Sequence, residues 1–332
     1  MHQAFIEMKD HGGPEVLRLR SGYITGPGPS QILVRQTAIG VNFHDIYVRT
    51  GLYRTLALPG TPGLEAVGIV DACGEAVSHI AVGDRIGWVS PGYGGYASHR
   101  LLDAALAIRL PHGWSDIELA GSLMKMLTTC MLVHHVRQVK AGDHVLVHAA
   151  AGGVGQLLCA WAKALGASVI GTVGSAVKGD AARQAGADHI LHYRNQDVVH
   201  GVAEITRGAG VDVAYDAIGR DTFLTSMQCL GYAGTLVNYG QASGPVAPFT
   251  PDLLAARSLG VVRPIVFHYL RSSEQRAAMT QETFAALDAG ILRPLPPRTF
   301  PLAEAADAHR LLESGQSPGA LVLVPEESSH DL

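Results

Sequence analysis

The stretch HVLVHAAAGGVGQLLCAWAKALGA, residues 144–167, decides the fold. An apolar strand runs up to His148, small residues follow from Ala149 to Gly153, and a helix is predicted from Val154. Val154, Leu157, Leu158, Trp161 and Leu165 then fall on one helical face, suited to packing on a sheet. A turn of Ala and Gly lets backbone amides approach a diphosphate closely, and the exposed N–H groups and the helix dipole stabilise its charge. Against the pattern G-x-G-x-x-G, Ala150 stands at the first position and Gly152 and Gly155 at the others, with Ala151, Gly153 and Val154 completing the turn. An ordinary Gly-rich connection would show the same glycines. The strand before and the helix after favour the dinucleotide-binding reading.

Working outward, further strands are expected at 168–173, 189–193, 211–216, 234–239 and 261–266, with helical stretches between most of them. That alternation predicts an α/β fold of the Rossmann type, a doubly wound parallel sheet. Upstream, short β-like runs broken by Gly and Pro, such as QILVRQTAIGV (31–41), EAVGIVDACG (65–74) and DRIGWVS (84–90), predict a compact β-rich domain. The expected boundaries are 1–125 for the β-rich domain, 126–264 for the dinucleotide domain, and 265–332 for a segment that returns to the first. The dinucleotide domain would thus be an insertion.

Composition excludes several classes. The chain has 332 residues, 47% hydrophobic and 16% charged, with a formal net charge of -4 and no long run of one sign. It can bury a large core and lacks the basic footprint of a dedicated nucleic-acid binder. Cys73, Cys130, Cys159 and Cys229 are scattered, with no C-x-x-C pair, so neither a disulfide framework nor a cysteine-based zinc site is expected. The N-terminus does not read as a signal peptide, and no run is apolar enough to span a membrane. A cytoplasmic protein is the expectation.

The cofactor is predicted to be NADPH. An NAD site usually places Asp or Glu about 20 residues beyond the glycines, on the ribose 2′-hydroxyl. Here Thr172, Val173, Gly174 and Ser175 occupy that place. Lys178 follows within a turn, where it could meet a 2′-phosphate, and Tyr193 ends the next strand, where it could flank the adenosine ribose.

The motifs AIGVNFHDIYVRTGLY (38–53), GLEAVGIV (63–70), VGDRIGW (82–88), HAAAGGVG (148–155), AGAD (185–188), YDAIGRDTF (215–223) and GYAGTLVNYG (231–240) occur in this order. Together they resemble the NAD(P)H:quinone oxidoreductases, the zeta-crystallin-like branch of the medium-chain dehydrogenases/reductases, over nearly the whole chain. The resemblance implies a GroES-like catalytic domain, an inserted Rossmann domain, a cofactor in the cleft between them, and a homodimer formed largely through the Rossmann domain. It places NADPH against Gly152–Gly155, Gly174, Lys178, Tyr193, Ile218 and Tyr239, and Asn42, Tyr47 and Tyr53 near the nicotinamide and the acceptor. One position departs: Gly315 stands where many bacterial members carry a basic residue for the 2′-phosphate, which would weaken NADP preference.

The zinc-dependent cousins need a Cys and a His at positions held here by Asn42 and Leu64, and neither an amide nor an alkyl side chain replaces a thiolate or an imidazole as a ligand. No metal is therefore expected. Among the 16 histidines, His134 and His135 are adjacent, His144 and His148 could share a strand face, and no H-E-x-x-H spacing appears. Metal-free chemistry still suits an electron-poor acceptor, because a quinone, or the β-carbon of an enone, takes hydride without a Lewis acid. Asn42 would position nicotinamide or acceptor, and Tyr47 and Tyr53 would supply aromatic wall and hydroxyl donors; packing beside the site is their other reading. Three functions compete: a quinone reductase, a reductase of activated C=C bonds of enone or acrylate type, and a non-catalytic crystallin-like or RNA-binding role. Arg49, Arg54 and Arg263 are candidates to meet a carboxylate-bearing acceptor.

Overall fold

The computed structural model describes residues 1–317 and 319–326; the last part of the expected returning segment, 327–332, lies outside the described residues. The chain divides into two compact units. One comprises Met1–Met124 and the chain from Pro294 on, the other Lys125–Arg293.

The first unit is built on a mixed sheet whose central strand, Gln31–Val41, pairs antiparallel with Glu65–Cys73, His99–Asp103 and Ala320–Val324. Arg85–Val89 extends it beyond Glu65–Cys73, and Pro297–Pro301 runs parallel to Ala320–Val324 at the other end. The closing strands 297–301 and 320–324 therefore belong to this sheet although they follow the second unit in sequence. Ile32, Val34, Ile39, Val67, Ile86 and Trp88 are fully buried and form its core. Pairing shifts between Leu33 and Val34 and between Gln36 and Ala38, irregularities that bend a strand. At the end of the central strand the chain turns directly into the helix Phe43–Arg49, with Asn42 at its N-cap.

The second unit holds a six-stranded, wholly parallel sheet in the order His189–His192, Ser168–Val173, His144–Val147, Val211–Asp216, Leu230–Asn238, Gly260–Val262. In chain order that is 3-2-1-4-5-6, the doubly wound order expected from the sequence. Leu146, Ile170, Ala214 and Leu236 from the strands pack with Phe223 and Met227 into one core cluster. The expected strand 261–266 is shorter than predicted: it spans Gly260–Val262, and a short helix, Val266–Tyr269, takes over. Pro264 supplies the reason, since it has no N–H to donate to a ladder. The segment 265–293 also groups with this unit, so the return to the first unit begins at Pro294 rather than at 265. The helix Ser273–Asp288 explains the difference: it buries Arg276, Met279, Thr283, Ala286 and Leu287, and the Met279 carbonyl lies 3.8 Å from the Cys130 thiol of the same unit.

Candidate functional site

In the second unit, the residues singled out from sequence gather at the carboxyl ends of the parallel strands. The Ala/Gly turn follows His144–Val147, Gly174 and Ser175 follow Ser168–Val173, and Tyr193 follows His189–His192. Ile218 follows Val211–Asp216, and Tyr239 follows Leu230–Asn238. His144–Val147 and Val211–Asp216 are neighbours, and the chain order runs in opposite directions on either side of them. Their junction is the topological switch point, where connections diverge and open sheets bind their ligands.

The turn has the shape of a cradle. Ala149 takes a positive φ of 52°, and the helix Gly153–Ala164 begins within the turn. The first N–H groups of a helix have no intrahelical acceptor. A Cβ on Gly155 would sit 2.2 Å from the Ala149 carbonyl oxygen, so only glycine lets the helix start this close to the strand end. A Cβ on Gly171 would meet the Ala150 Cβ at 2.7 Å, so the neighbouring strand is cut back to admit the turn. Below it, buried His148 shares a hydrogen bond of 2.9 Å between Nδ1 and the Thr172 hydroxyl. Thr172 is thus a buried structural partner. Across the switch point, the buried Asp216 carboxylate accepts from the Ile218 and Gly219 N–H groups at 2.8 and 3.0 Å and from the Thr222 hydroxyl at 2.8 Å, which fixes the loop carrying Ile218. The Tyr239 N–H donates to the Asp216 carbonyl at 2.9 Å.

One strand further out is a cavity of about 400 Å³ lined by Gly174, Ser175, Ala176, His192, Arg194 and Asn195. Tyr193 packs over Gly174: a Cβ there would come within 2.7 Å of its hydroxyl and 3.4 Å of Arg194 Nε. Ser175 caps the helix Ala176–Gln184, and Lys178 sits exposed in its first turn. The lining contains no carboxylate. Arg194 is the residue that sequence reading missed; it is adjacent to Tyr193, and the signal was the cation in HILHYRNQD. Gly315 lies at the end of the helix Ala305–Glu313 with φ of 65°, a left-handed helix-ending position that favours glycine over any basic side chain.

The first unit carries a different group. Asn42 Nδ2 donates to Glu65 Oε1 at 2.7 Å, its N–H donates to Asp45 Oδ2 at 2.9 Å, and Glu65 Oε2 accepts from the Met124 N–H at 2.7 Å. Glu65 is fully buried, as is Leu64. The positions of the zinc-ligating Cys and His are therefore filled by an amide tied to a carboxylate and by a core leucine, and they do not fit a zinc ion. Tyr47 and Tyr53 meet edge to face with ring centroids 5.1 Å apart, and the Tyr53 N–H donates to the Tyr47 carbonyl at 2.9 Å. Sequence reading missed Tyr93, which joins them through His44: His44 Nε2 lies 3.4 Å from the Tyr93 hydroxyl, and its ring packs on Tyr53 at 5.2 Å. Tyr93 also shares a hydrogen bond with Thr55, and burial holds its phenol above the ordinary range. Only its setting between glycines in PGYGGY hinted at a special backbone, realised as a φ of 50°.

Two of the candidate arginines have structural roles. Arg49 is buried and pairs with Glu313 at 2.5 Å, and Arg263 donates to the Asn238 carbonyl at 2.8 Å. Arg54 is exposed.

The chain is similar to known proteins over nearly its whole length. Residues 28–112 match the alcohol dehydrogenase GroES-like domain family, and residues 185–323 match the zinc-binding dehydrogenase family. Quinone oxidoreductase 1 of Escherichia coli is 40% identical over 323 residues, covering 96% of this chain and 99% of the relative. A 2-haloacrylate reductase of a Burkholderia species is 40% identical over 322 residues, covering 95% and 97%. The solved structure of Escherichia coli quinone oxidoreductase complexed with NADPH superposes with a TM-score of 0.93 at 39% identity, covering 97% of this chain and all of that one.

Proposed function

The chain belongs to the quinone oxidoreductases of the medium-chain dehydrogenase/reductase family, and from that footing we propose that it transfers hydride from NADPH to a quinone without a metal. The observation that carries the cofactor assignment is the glycine cradle at the switch point together with an acid-free cavity beside Tyr193. The residues present fit the group: a Cβ at Gly155 would fill the cradle, and Arg194 lines the cavity where an NAD enzyme would carry a carboxylate.

NADPH supplies the hydride, and this chain's residues bind, orient and exclude. The turn 150–155 holds the diphosphate on the helix N-terminus. Ser175, Tyr193 and Arg194, with Lys178, hold the 2′-phosphate end, and Ile218 and Tyr239 flank the dinucleotide beyond the switch point. Glu65 accepts from Asn42 Nδ2, and the same side chain accepts from the Asp45 backbone in the capping box of the helix Phe43–Arg49, so the amide is fixed in one orientation, from which it positions nicotinamide or acceptor. Tyr47 and Tyr53, braced by His44 and Tyr93, form an aromatic wall against which a flat acceptor stacks. Asn42 and Leu64 provide no Lewis acid, which restricts the acceptor to one already electron-poor.

A second reading keeps the same machinery and changes the acceptor. The 40% identity to a 2-haloacrylate reductase favours an activated C=C bond as the alternative target. A homodimer through the second unit completes the reading, supported by the sheet edge at Gly260–Val262, as does a cytoplasmic location, supported by four cysteines that are all free thiols. Light scattering on the purified protein tests the dimer.

The deciding experiment follows NADPH and NADH oxidation by the chelator-treated protein with a small benzoquinone, a larger quinone, an enone, an acrylate and a simple aldehyde. Quinone turnover favouring NADPH supports the first reading. Preference for the acrylate or enone moves the protein to the second. Tight NADPH binding with no turnover on any acceptor overturns both.

A further inference from the structure

Among the described residues, one cluster brings together three different kinds of metal donor. Cys130 Sγ, His135 Nε2 and a Glu282 carboxylate oxygen all lie within 4.8 Å of one another. Glu282 Oε2 is 2.8 Å from His135 Nε2 and 3.2 Å from Cys130 Sγ. All three belong to the second unit, and none takes part in the glycine cradle or the cavity beside Tyr193.

The backbone explains how the first two meet. Cys130 ends the helix Leu123–Cys130, and the chain continues as a π-helix over Met131–Val136. Residues five apart point about 140° away from each other around a regular α-helix. The wider π turn pairs positions five apart and brings Cys130 and His135 onto one face, and such turns are frequent at functional sites. The helix Ser273–Asp288 packs alongside and contributes Glu282 opposite them. His134 falls elsewhere, with its ring edge to face on Trp161 at 5.0 Å.

We propose that Cys130, His135 and Glu282 form a binding site for a zinc-class divalent cation, separate from the hydride-transfer machinery, which clamps the 123–136 segment to the 273–288 helix. One thiolate, one imidazole and one carboxylate suit a borderline-soft ion, with water at the fourth tetrahedral position. Bond lengths of about 2.3 Å to sulfur and about 2.0 Å to nitrogen and oxygen set the donors roughly 3.3–3.6 Å apart; the two contacts to Glu282 are 3.2 and 2.8 Å and all three donors lie within 4.8 Å, so small side-chain adjustments reach that geometry. Cys130 is fully buried and forms the floor, while the His135 and Glu282 side chains are 32% and 43% exposed and leave an entry from solvent. Without the ion, the Cys130 thiol donates to the Glu282 carboxylate. Binding replaces that proton, which leaves to solvent, and the imidazole offers the Nε2 lone pair with its proton on Nδ1.

The test uses the chelator-treated full chain titrated with Co²⁺, then with Zn²⁺. One Co²⁺ per chain should produce a thiolate-to-cobalt charge-transfer band, release at least one proton, and be bleached by Zn²⁺. Cys130→Ser should abolish the band. His135→Ala and Glu282→Gln, at partly exposed positions that leave the core intact, should each weaken Co²⁺ binding at least about tenfold with an unchanged circular dichroism spectrum. If Cys130→Ser fails to fold, those two variants decide. Absence of the band in the unaltered chain, or a band of equal affinity in His135→Ala and Glu282→Gln, overturns the proposal.

Discussion

The Glu65 carboxylate bridges the Asn42 side chain and the Met124 backbone N–H, accepting from each at 2.7 Å while fully buried. A carboxylate accepts only, so this one contact decides which edge of the Asn42 amide faces Glu65.

Glu65→Gln tests that role. Glutamine can accept from Met124 with its oxygen, but its NH₂ then faces Asn42 and stabilises the reversed amide. The variant should lose about 1–3 kcal/mol of stability in urea unfolding, the scale of a disturbed buried hydrogen bond. It should lose turnover as well, with NADPH affinity little changed. Full turnover in a variant shown to fold would remove the positioning role of Asn42.

Gly155→Ala should disable the cradle. The new Cβ would lie 2.2 Å from a backbone oxygen, and backbone cannot swing aside as a long side chain can. The expected cost is about 1–3 kcal/mol of stability, with weakened binding of both NADPH and NADH. A melting temperature and cofactor affinities equal to those of the unaltered chain would show that the turn has room the geometry denies.

Arg194→Ala should separate the two cofactors. A hydrogen bond to a charged group is worth about 1.5–3 kcal/mol, so the Michaelis constant for NADPH should rise roughly 10- to 100-fold. That for NADH should hardly move. A parallel rise for both would take Arg194 away from the 2′-phosphate, leaving Lys178 as the cation there.

Acid stability should depend on His309. It is fully buried with Nε2 2.9 Å from the Tyr96 hydroxyl, and burial, then the nearby Arg49 guanidinium, brings its pKa down to about 3 from 6.5. Between those values the unfolded chain binds a proton that the folded chain refuses. This contribution is whole above pH 6.5 and is lost progressively as pH falls toward about 3, at up to about 1.4 kcal/mol per pH unit. His309→Gln should flatten the acid limb of a plot of unfolding free energy against pH. The same slope in both proteins would mean that His309 takes its proton in the folded state.

Much of the second unit was legible in the sequence because its signals are local. The strand, small-residue turn and helix of 144–167 follow one another along the chain, so periodicity and glycine placement identify them directly. The strands Ser168–Val173 and Val211–Asp216 match their predicted bounds for the same reason, whereas the strand at 260 stops early at a proline whose effect on the ladder was underweighted. Arg194 went unnoticed because one arginine in a loop has no periodicity; only the packing of Tyr193 over Gly174 brings it to the cavity.

The sequence by itself thus determined the parallel-sheet unit, the glycine cradle, the missing carboxylate at residues 172–175, and the exchange of zinc ligands for Asn42 and Leu64, all properties of residue type at a given position. The tertiary structure alone decided the partnerships across long sequence separations. Asn42 is tied to Glu65, Arg49 is buried against Glu313 rather than offered to an acceptor, and Glu282 arrives beside Cys130 and His135. The physical reason is that such contacts arise from the packing of whole elements: strand register set by the sheet, a π turn that rotates one face of a helix, and a helix whose buried side mixes apolar and polar residues, none of which leaves a mark at the residues that finally meet.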